Sequence, residues 1–548
     1  MTISSAPSPA LLAAAPVSMA EAIRVRRTFA ILSHPDAGKT TLTERLLLHG
    51  GAVQEAGLVK ARRGQRRATS DWMKIEQERG ISVTSTVLQF NYGGYALNLL
   101  DTPGHEDFSE DTYRTLLAAD SAIMVIDAAK GIEDQTRKLF RVCRQRGIPI
   151  VTFINKMDRP TRDVFGLLDQ IERELAIRTV PMNWPIRHHE TLLGVCDRAT
   201  GLAHLFPAGL PRHAELQSPD STQPIDSLAG QLDPAAYAQL AEDLALLDAA
   251  SEPFDRGRYL TGQQTPVFFG SALTGLGVQL FLDAFVALAP PPSARHADVG
   301  AVPPDRDGFA GFVFKIQSNM DPKHRDSVAF VRVCAGRFER DMWVDHARTG
   351  KRIRLSRPHR TFAQSREIME EAYPGDVVGL VNPGVFAVGD SISAGPPVCF
   401  DALGRFAPEL FARLHNTDTA RYKQFQTGMR QLEAEGAVQV FVTTDTIRRE
   451  PIVGAVGRLQ FDVLQFRLES EYGARTRLEW LPHTTARVVT GEAPGLAMLP
   501  RSSVMQLVDA DGATVLLFPS SRDATFWQER LKLPLREIGE EAGALQTW

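Results

Sequence analysis

Eight residues, Ser33-His-Pro-Asp-Ala-Gly-Lys-Thr40, limit what this chain can fold into more than any other stretch. They follow a short apolar run, Phe29 to Leu32, and precede Leu42, Leu46 and Leu47 at helical spacing. Strand, small-residue loop, Gly-Lys-Thr and helix form the context that a phosphate-binding loop requires. Successive backbone N–H groups and the helix N-terminus offer partial positive charge to phosphate oxygens. Lys39 adds a point charge for β- and γ-phosphates, and Thr40 offers a hydroxyl to magnesium. The general pattern has Gly first. Ser33 stands there instead, which such a loop accepts when that φ is negative. The expected phosphate contacts are therefore Ser33, His34, Pro35, Asp36, Ala37, Gly38, Lys39, Thr40 and Thr41.

A chain of 548 residues holds more than one domain, and three is the natural division. The formal net charge of −4 creates no global field for nucleic acid, so any RNA contact must come from local basic patches. Cys143, Cys196, Cys334 and Cys399 are far apart, without metal-ligand spacing or a disulfide framework. They read as reduced, buried thiols of a cytosolic protein. No apolar run approaches the roughly eighteen residues of a membrane span. Residues 1–23 are rich in Ala, Pro and Ser and are expected to be a disordered leader, with Met19 an alternative start. No Lys or Arg precedes Arg24, so a signal peptide's basic region is missing.

From Phe29 to about Phe153 apolar strands alternate with helical patterns. Thr86–Asn91 and Tyr95–Leu100 read as a hairpin about Gly93-Gly94, and Ile123–Ile126 and Ile150–Ile154 as further strands. Helices are expected after Pro103 and from Ile132 to about Arg146. Such interleaving argues a parallel, doubly wound sheet that binds ligands at the carboxyl ends of its strands. Each end here carries polar residues. Asp101-Thr102-Pro103-Gly104-His105 follows Leu100; its carboxylate suits a water-bound magnesium, and the Gly104 N–H suits a γ-phosphate. Asn155-Lys156-Met157-Asp158 follows Ile154, and a carboxylate there can accept from guanine N1–H and the exocyclic amine. Ser271-Ala272-Leu273, after Phe269 and Gly270, can turn a backbone N–H toward the guanine carbonyl. Four such elements in this order point to a guanine-nucleotide domain.

D-A-G-K-T-T, E-R-G-I-S and D-T-P-G-H-E-D-F resemble the motifs of translational GTPases. Longer strings, among them S-D-W-M-K-I-E-Q-E-R-G-I-S-V-T-S, F-V-F-K-I-Q-S-N-M-D-P-K-H-R-D and V-G-A-V-G-R-L-Q-F-D-V-L, narrow the resemblance to the bacterial class II peptide-chain release factors. The similarity runs from about residue 24 to the last tenth of the chain. It is weakest in the leader, at about 195–260 and after about 485. It implies a cytoplasmic GTPase with GTP/GDP and Mg2+ as cofactors, acting on the terminating ribosome. There it would contact rRNA and ribosomal proteins and promote departure of class I release factors; off the ribosome it would be a monomer with no membrane partner. By the same resemblance His105 orients the attacking water, with Lys39 stabilising the developing charge. Ser82 takes the place of a Thr whose hydroxyl meets magnesium, with Thr84 a nearby competitor. The metal would thus be held by Thr40, Ser82 and, through water, Asp101. The basic run Lys60–Arg67 belongs to the same switch segment and is either a solvated loop or an RNA contact.

The guanine-nucleotide domain is expected over 24–290, an α/β phosphate-loop fold with an inserted subdomain at about 160–262. Helical patterns mark 161–176 and 235–250, and 201–232 reads as loop. Ala289-Pro-Pro-Pro-Ser is a stiff linker. Period-2 runs then suit an antiparallel β-barrel at 305–402, with Phe312–Ile316, Ser327–Val333 and Val377–Val381 as strands. Arg352, Arg354, Arg357, His359 and Arg360 cluster in it, as a solvated edge or a binding patch. A C-terminal α+β domain at 405–548 would hold helices at about 416–435 and 458–472 and strands Ala437–Thr443 and Ile452–Val456. Three rivals stand against this reading. A translocase or ribosomal-protection GTPase of the elongation-factor-G type would carry two further C-terminal domains. A metabolic phosphate-loop kinase would need no guanine reader. A non-hydrolysing GTP-binding scaffold would lack His105.

Overall fold

The strand Arg26–Ser33 sits in the middle of a seven-stranded sheet and delivers the phosphate loop at its carboxyl end. The computed structural model describes residues 18–52, 76, 83–188, 191–206, 221–318, 327–362, 365–401, 406–443 and 450–539. The sheet runs Thr86–Tyr92, Tyr95–Asp101, Arg26–Ser33, Ser121–Asp127, Ile150–Asn155, Gln264–Phe269, Arg178–Pro181. Only Thr86–Tyr92 is antiparallel to its neighbour. Both faces are buried, as a parallel sheet between helices requires. Ala30, Leu32, Met124 and Ile126 enter one core; Phe29, Ile31, Ile123 and Val125 alternate into the other, against Phe281 and Phe285. The hairpin turns where the sequence places it, with Gly93 and Gly94 at φ +55° and +83°, the left-handed pair a tight turn needs.

Between this sheet's strands lies a smaller antiparallel sheet of Asn183–His188, Thr191–Asp197, Leu202–Leu205 and Ser221–Pro224. Helices Val164–Leu175 and Pro234–Ala250 match the sequence expectation. The loop reading of 201–232 does not hold throughout. Two strands of four residues lie there: Leu202–Leu205 pairs with Thr191–Asp197, and the polar Ser221–Pro224 pairs in turn with Leu202–Leu205, too short for either to show a period-2 pattern. Residues 1–17 of the expected leader lie outside the described residues, and its end is ordered. Met19–Arg24 is a helix whose N-terminus is capped by the Ser18 hydroxyl, and it buries Ala22.

An eight-stranded antiparallel half-barrel follows, in the order Lys351–Arg354, Trp343–His346, Ser391–Ser393, Ala310–Ser318, Ser327–Ala335, Val377–Asn382, Pro358–Phe362, Ser365–Ile368. It encloses a core of its own about Val313, Val331 and Ile392. Arg352, Arg354 and Arg357 are exposed, Arg352 lying 5.8 Å from the Trp343 ring centroid. His359 is only partly buried, and the Arg360 side chain falls outside the described residues. The barrel docks on the nucleotide domain through buried charge: Arg332 donates to Asp120 at 2.5 Å, and Arg26 to Asp376 at 2.8 Å.

The C-terminal domain is a second eight-stranded antiparallel sheet, with Tyr422–Ala434 and Arg458–Tyr472 packed together over Leu414 and Val453. The first of these helices starts at 422 rather than 416, because Leu410–Asn416 is a strand and Asp418 caps the turn between them. The strand expected from Ala437 begins at Gln439. Three of the four cysteines are buried as expected; Cys399 is exposed. Burial pushes the Cys143 thiol up to about 12, so it is inert as a nucleophile.

Candidate nucleotide site

Ser33 closes its strand in extended backbone, so the position needs no glycine. Gly38 does need one. It caps the helix Lys39–His49 at φ +94°, and a Cβ there would lie 2.3 Å from the Asn155 amide nitrogen. Asp36, exposed, also takes the left-handed region at φ +64°, which Asp tolerates better than most residues. The His34 imidazole is fully buried, 3.6 Å from the Glu133 carboxylate, with neither ring nitrogen hydrogen-bonded among the described residues. Burial holds its pKa below the usual value despite Glu133, so the ring is neutral at pH 7. What His34 can offer a phosphate is therefore its backbone. Pro35, Ala37, Thr40 and Thr41 complete the loop and the first helical turn.

The structure brings Lys39 and Asp101 into a buried pair, Nζ to Oδ1 at 2.6 Å. An ammonium has three donors, so Lys39 can hold Asp101 and still reach a phosphate. Thr102 donates its hydroxyl to the Ile31 carbonyl at 2.7 Å, which ties the Asp101–His105 segment to the central strand. Pro103 and Gly104 continue toward the phosphate loop, where the Gly104 Cα side faces Pro35. The partly exposed His105 begins a short turn, and its Nδ1 accepts the Asp107 N–H at 3.3 Å.

Asn155 joins the halves of the site. Its amide donates to the Ala37 carbonyl at 2.8 Å and accepts from the Ala272 N–H at 2.8 Å. Phosphate loop and base-side turn are thereby held together through one side chain. The Ser271 N–H is committed to the Leu276 carbonyl, and Leu273 is partly buried in the same turn. Lys156, at φ +67°, donates to the Asp36 carbonyl and to Asp127 at 2.8 Å. Although burial pushes the Asp127 carboxyl up, Lys156 and the Ala129 N–H outweigh it and hold its pKa below the usual value. Met157 is fully buried and bonded to the Gly270 carbonyl. Asp158 keeps a buried Oδ1 without a hydrogen-bond partner among the described residues. A buried carboxylate oxygen left open is costly unless a donor completes it, and guanine carries two donors on one edge.

Ser82 and the run Lys60–Arg67 lie outside the described residues. Just beyond them, Glu76 accepts the N–H groups of Val83 and Thr84, at 3.0 and 3.2 Å. Two residues at the site escape motif reading. Asp127 ends a strand at the same sheet edge, a position that could have flagged it, while Arg187, which donates to the Met157 carbonyl at 2.9 Å, carries no sequence signal. Among the described residues no group of three or more His, Cys, Asp or Glu is placed to hold a metal ion. A magnesium here would depend on few protein oxygens and on the nucleotide's own phosphates, the usual arrangement for that ion. Asp101 and the Thr40 hydroxyl, both hard oxygen donors, fit that role. Lys39→Ala should lower nucleotide binding and turnover together, because the ammonium paired with Asp101 is lost and the carboxylate is left buried without it. Retention of GTP through gel filtration at the wild-type level would place the phosphate site elsewhere.

Comparison with known proteins divides the chain where the structure does. Residues 24–291 match the Elongation factor Tu GTP binding domain, 308–395 match Elongation factor G domain 2, and 400–528 match the Class II release factor RF3, C-terminal domain. A protein of Acaryochloris marina named Peptide chain release factor 3 is 55% identical over 504 residues, covering 91% of this chain and 93% of that protein. Its namesake in Gloeothece citriformis is 54% identical over 532 residues, 97% of this chain and 98% of the relative. A solved structure from Thermus thermophilus is 21% identical, covers 85% of this chain and 70% of that one, and superposes with a TM-score of 0.66. That likeness is one of fold. Among the described residues no helix is long and apolar enough to cross a membrane.

Proposed function

This chain belongs to the peptide chain release factor 3 family, a GTPase family of translation termination, and from that premise we propose how its residues carry the cycle. The protein binds GTP at the carboxyl edge of the seven-stranded sheet and hydrolyses it on the terminating ribosome. The hydrolysis cycle drives departure of class I release factors after peptide release. It works in the cytoplasm and is a monomer off the ribosome. The join made by Asn155 carries this reading, since it fixes the base-side turn to the phosphate loop through bonds of 2.8 Å each. The C-terminal domain distinguishes the chain from a translocase, because its match is to release factors.

In this reading the N–H groups of residues 33–41 cradle the β- and γ-phosphates, and Lys39 neutralises charge between them. Asp158 accepts from guanine N1–H and the exocyclic amine, and the Ser271–Leu273 turn faces the base carbonyl. Thr40, Ser82 and, through water, Asp101 would hold magnesium, which when bound supplies positive charge at the phosphate oxygens. His105 orients the attacking water. With Nδ1 turned to the Asp107 N–H, Nε2 is the ring nitrogen left to meet the water. The water oxygen bonds to the γ-phosphorus as the bond to the β-bridging oxygen breaks. GDP leaves with that oxygen, and the water's protons end on inorganic phosphate. Lys39, the loop N–H groups and the Gly104 N–H stabilise the charge that develops.

The test is multiple-turnover hydrolysis of GTP and ATP, with and without ribosomes carrying a class I release factor at a stop codon. GTP-selective turnover that rises on ribosomes, accompanied by release of the factor, is expected. Turnover indifferent to ribosomes, or equal for ATP, would overturn the reading.

A further inference from the structure

The helix Arg458–Tyr472 begins with Gly457, which offers no side chain to cap it. Its own Gln460 reaches back to the N–H groups of Val456 and Gly457. The cap for the Leu459 N–H comes from another domain, 352 residues away: Asp107 Oδ2 accepts it at 2.7 Å. Gly457 is the residue that lets the carboxylate in, because a Cβ there would lie 2.0 Å from the Asp107 carboxyl carbon. Around the cap, Val83 and Phe108 of the nucleotide domain pack against Val463, with Leu459 and Phe466 beside them. The same Asp107 donates its backbone N–H to His105 Nδ1 at 3.3 Å.

We infer that Asp107 is a positioning residue through which the C-terminal domain sets the orientation of His105. The inference rests on the reading of His105 as the water-orienting group. Asp107 is held by its side chain to one domain, and its backbone holds the imidazole of another. The turn Glu106–Phe108, which His105 caps, is three residues of tight helix and has little stiffness of its own. Its anchor is the charge-assisted bond to the Leu459 N–H and the helix end behind it, where negative charge is favoured. A docked helix therefore keeps the ring in one rotamer, with Nε2 turned away from its own turn, whereas a displaced helix releases turn and ring together. Movement of the C-terminal domain on a partner would by this route reach the reacting water without any contact to the nucleotide.

Single-turnover GTP hydrolysis on ribosomes, paired with GTP affinity by equilibrium titration, tests this in the full-length protein. Asp107→Ala and Gly457→Ala, one on each side of the link, should each lower the hydrolysis rate by roughly 10- to 100-fold, as a misplaced catalytic group does, with affinity unchanged. The double variant should fall no further than the worse single one, since both break one contact. Asp107→Asn keeps an oxygen that caps a helix and should restore most of the rate. Thermal melts of each variant report folding, and Gly457→Ala leaves the nucleotide domain's sequence untouched. Effects that multiply in the double variant, absence of rescue by Asn, or wild-type rates from both single variants would each overturn the inference. His105→Ala run in parallel separates the two levels. If it retains the wild-type rate, the role assigned to His105 has failed; if it is inactive while Asp107→Ala and Gly457→Ala are normal, only the link to the C-terminal domain has failed.

Discussion

His105→Ala is expected to leave GTP affinity near wild type while removing ribosome-stimulated hydrolysis by roughly 10²-fold or more, the range of a positioned catalytic group. Affinity should survive because the imidazole takes no part in the contacts that hold the two halves of the site. Those run through Asn155, Lys39 and Asp101. Hydrolysis should not survive, because the water must lie in line with the departing GDP and alanine offers nothing to hold it there. The ring is partly exposed and, among the described residues, bonded only to its own turn, so its geometry depends on what docks beside it. Single-turnover hydrolysis on ribosomes is the measurement. A wild-type rate would show that His105 does not orient the water.

Asp158→Asn is expected to change which base is bound. Among the described residues the buried Oδ1 has no hydrogen-bond partner, so donors from a ligand would offset its desolvation. Each of the two bonds to guanine should contribute about 1.5–3 kcal/mol, so loss of the carboxylate weakens GTP by several kcal/mol. Asn presents an amide N–H where the carboxylate presented a lone pair, and the C2 carbonyl of xanthine nucleotide is complementary to it. A competition titration of GTP against xanthosine triphosphate reads the change directly. Unchanged guanine preference would show that the base is read elsewhere.

Why one residue was foreseeable and its neighbour was not can be seen at the two ends of the site. Asp158 follows a strand of the parallel sheet, and the position after such a strand faces the ligand edge whatever the rest of the chain does. The bond partners of Lys156, 29 residues away at Asp127 and 120 residues away at Asp36, follow no periodicity. The strands at Leu202–Leu205 and Ser221–Pro224 escaped for a related reason. Each is only four residues long, too short to show an alternating pattern, and β-structure there is set by a neighbouring strand rather than by local preference.

The amino-acid sequence by itself determined the doubly wound sheet, the phosphate loop on its central strand and the four polar segments at its carboxyl edge. Alternating apolar strands and helices admit one economical topology, and that topology gathers every strand end on one side. It also determined the succession of half-barrel and α+β domains, because period-2 and period-3.6 patterns are local properties of the chain. Only the tertiary structure decided that Asn155 binds the halves of the site to each other, that His34 is buried and neutral, and that Asp107 caps a helix of the third domain. Those depend on how finished elements dock, and docking brings together residues whose separation in the chain, 352 in the last case, leaves no pattern to read.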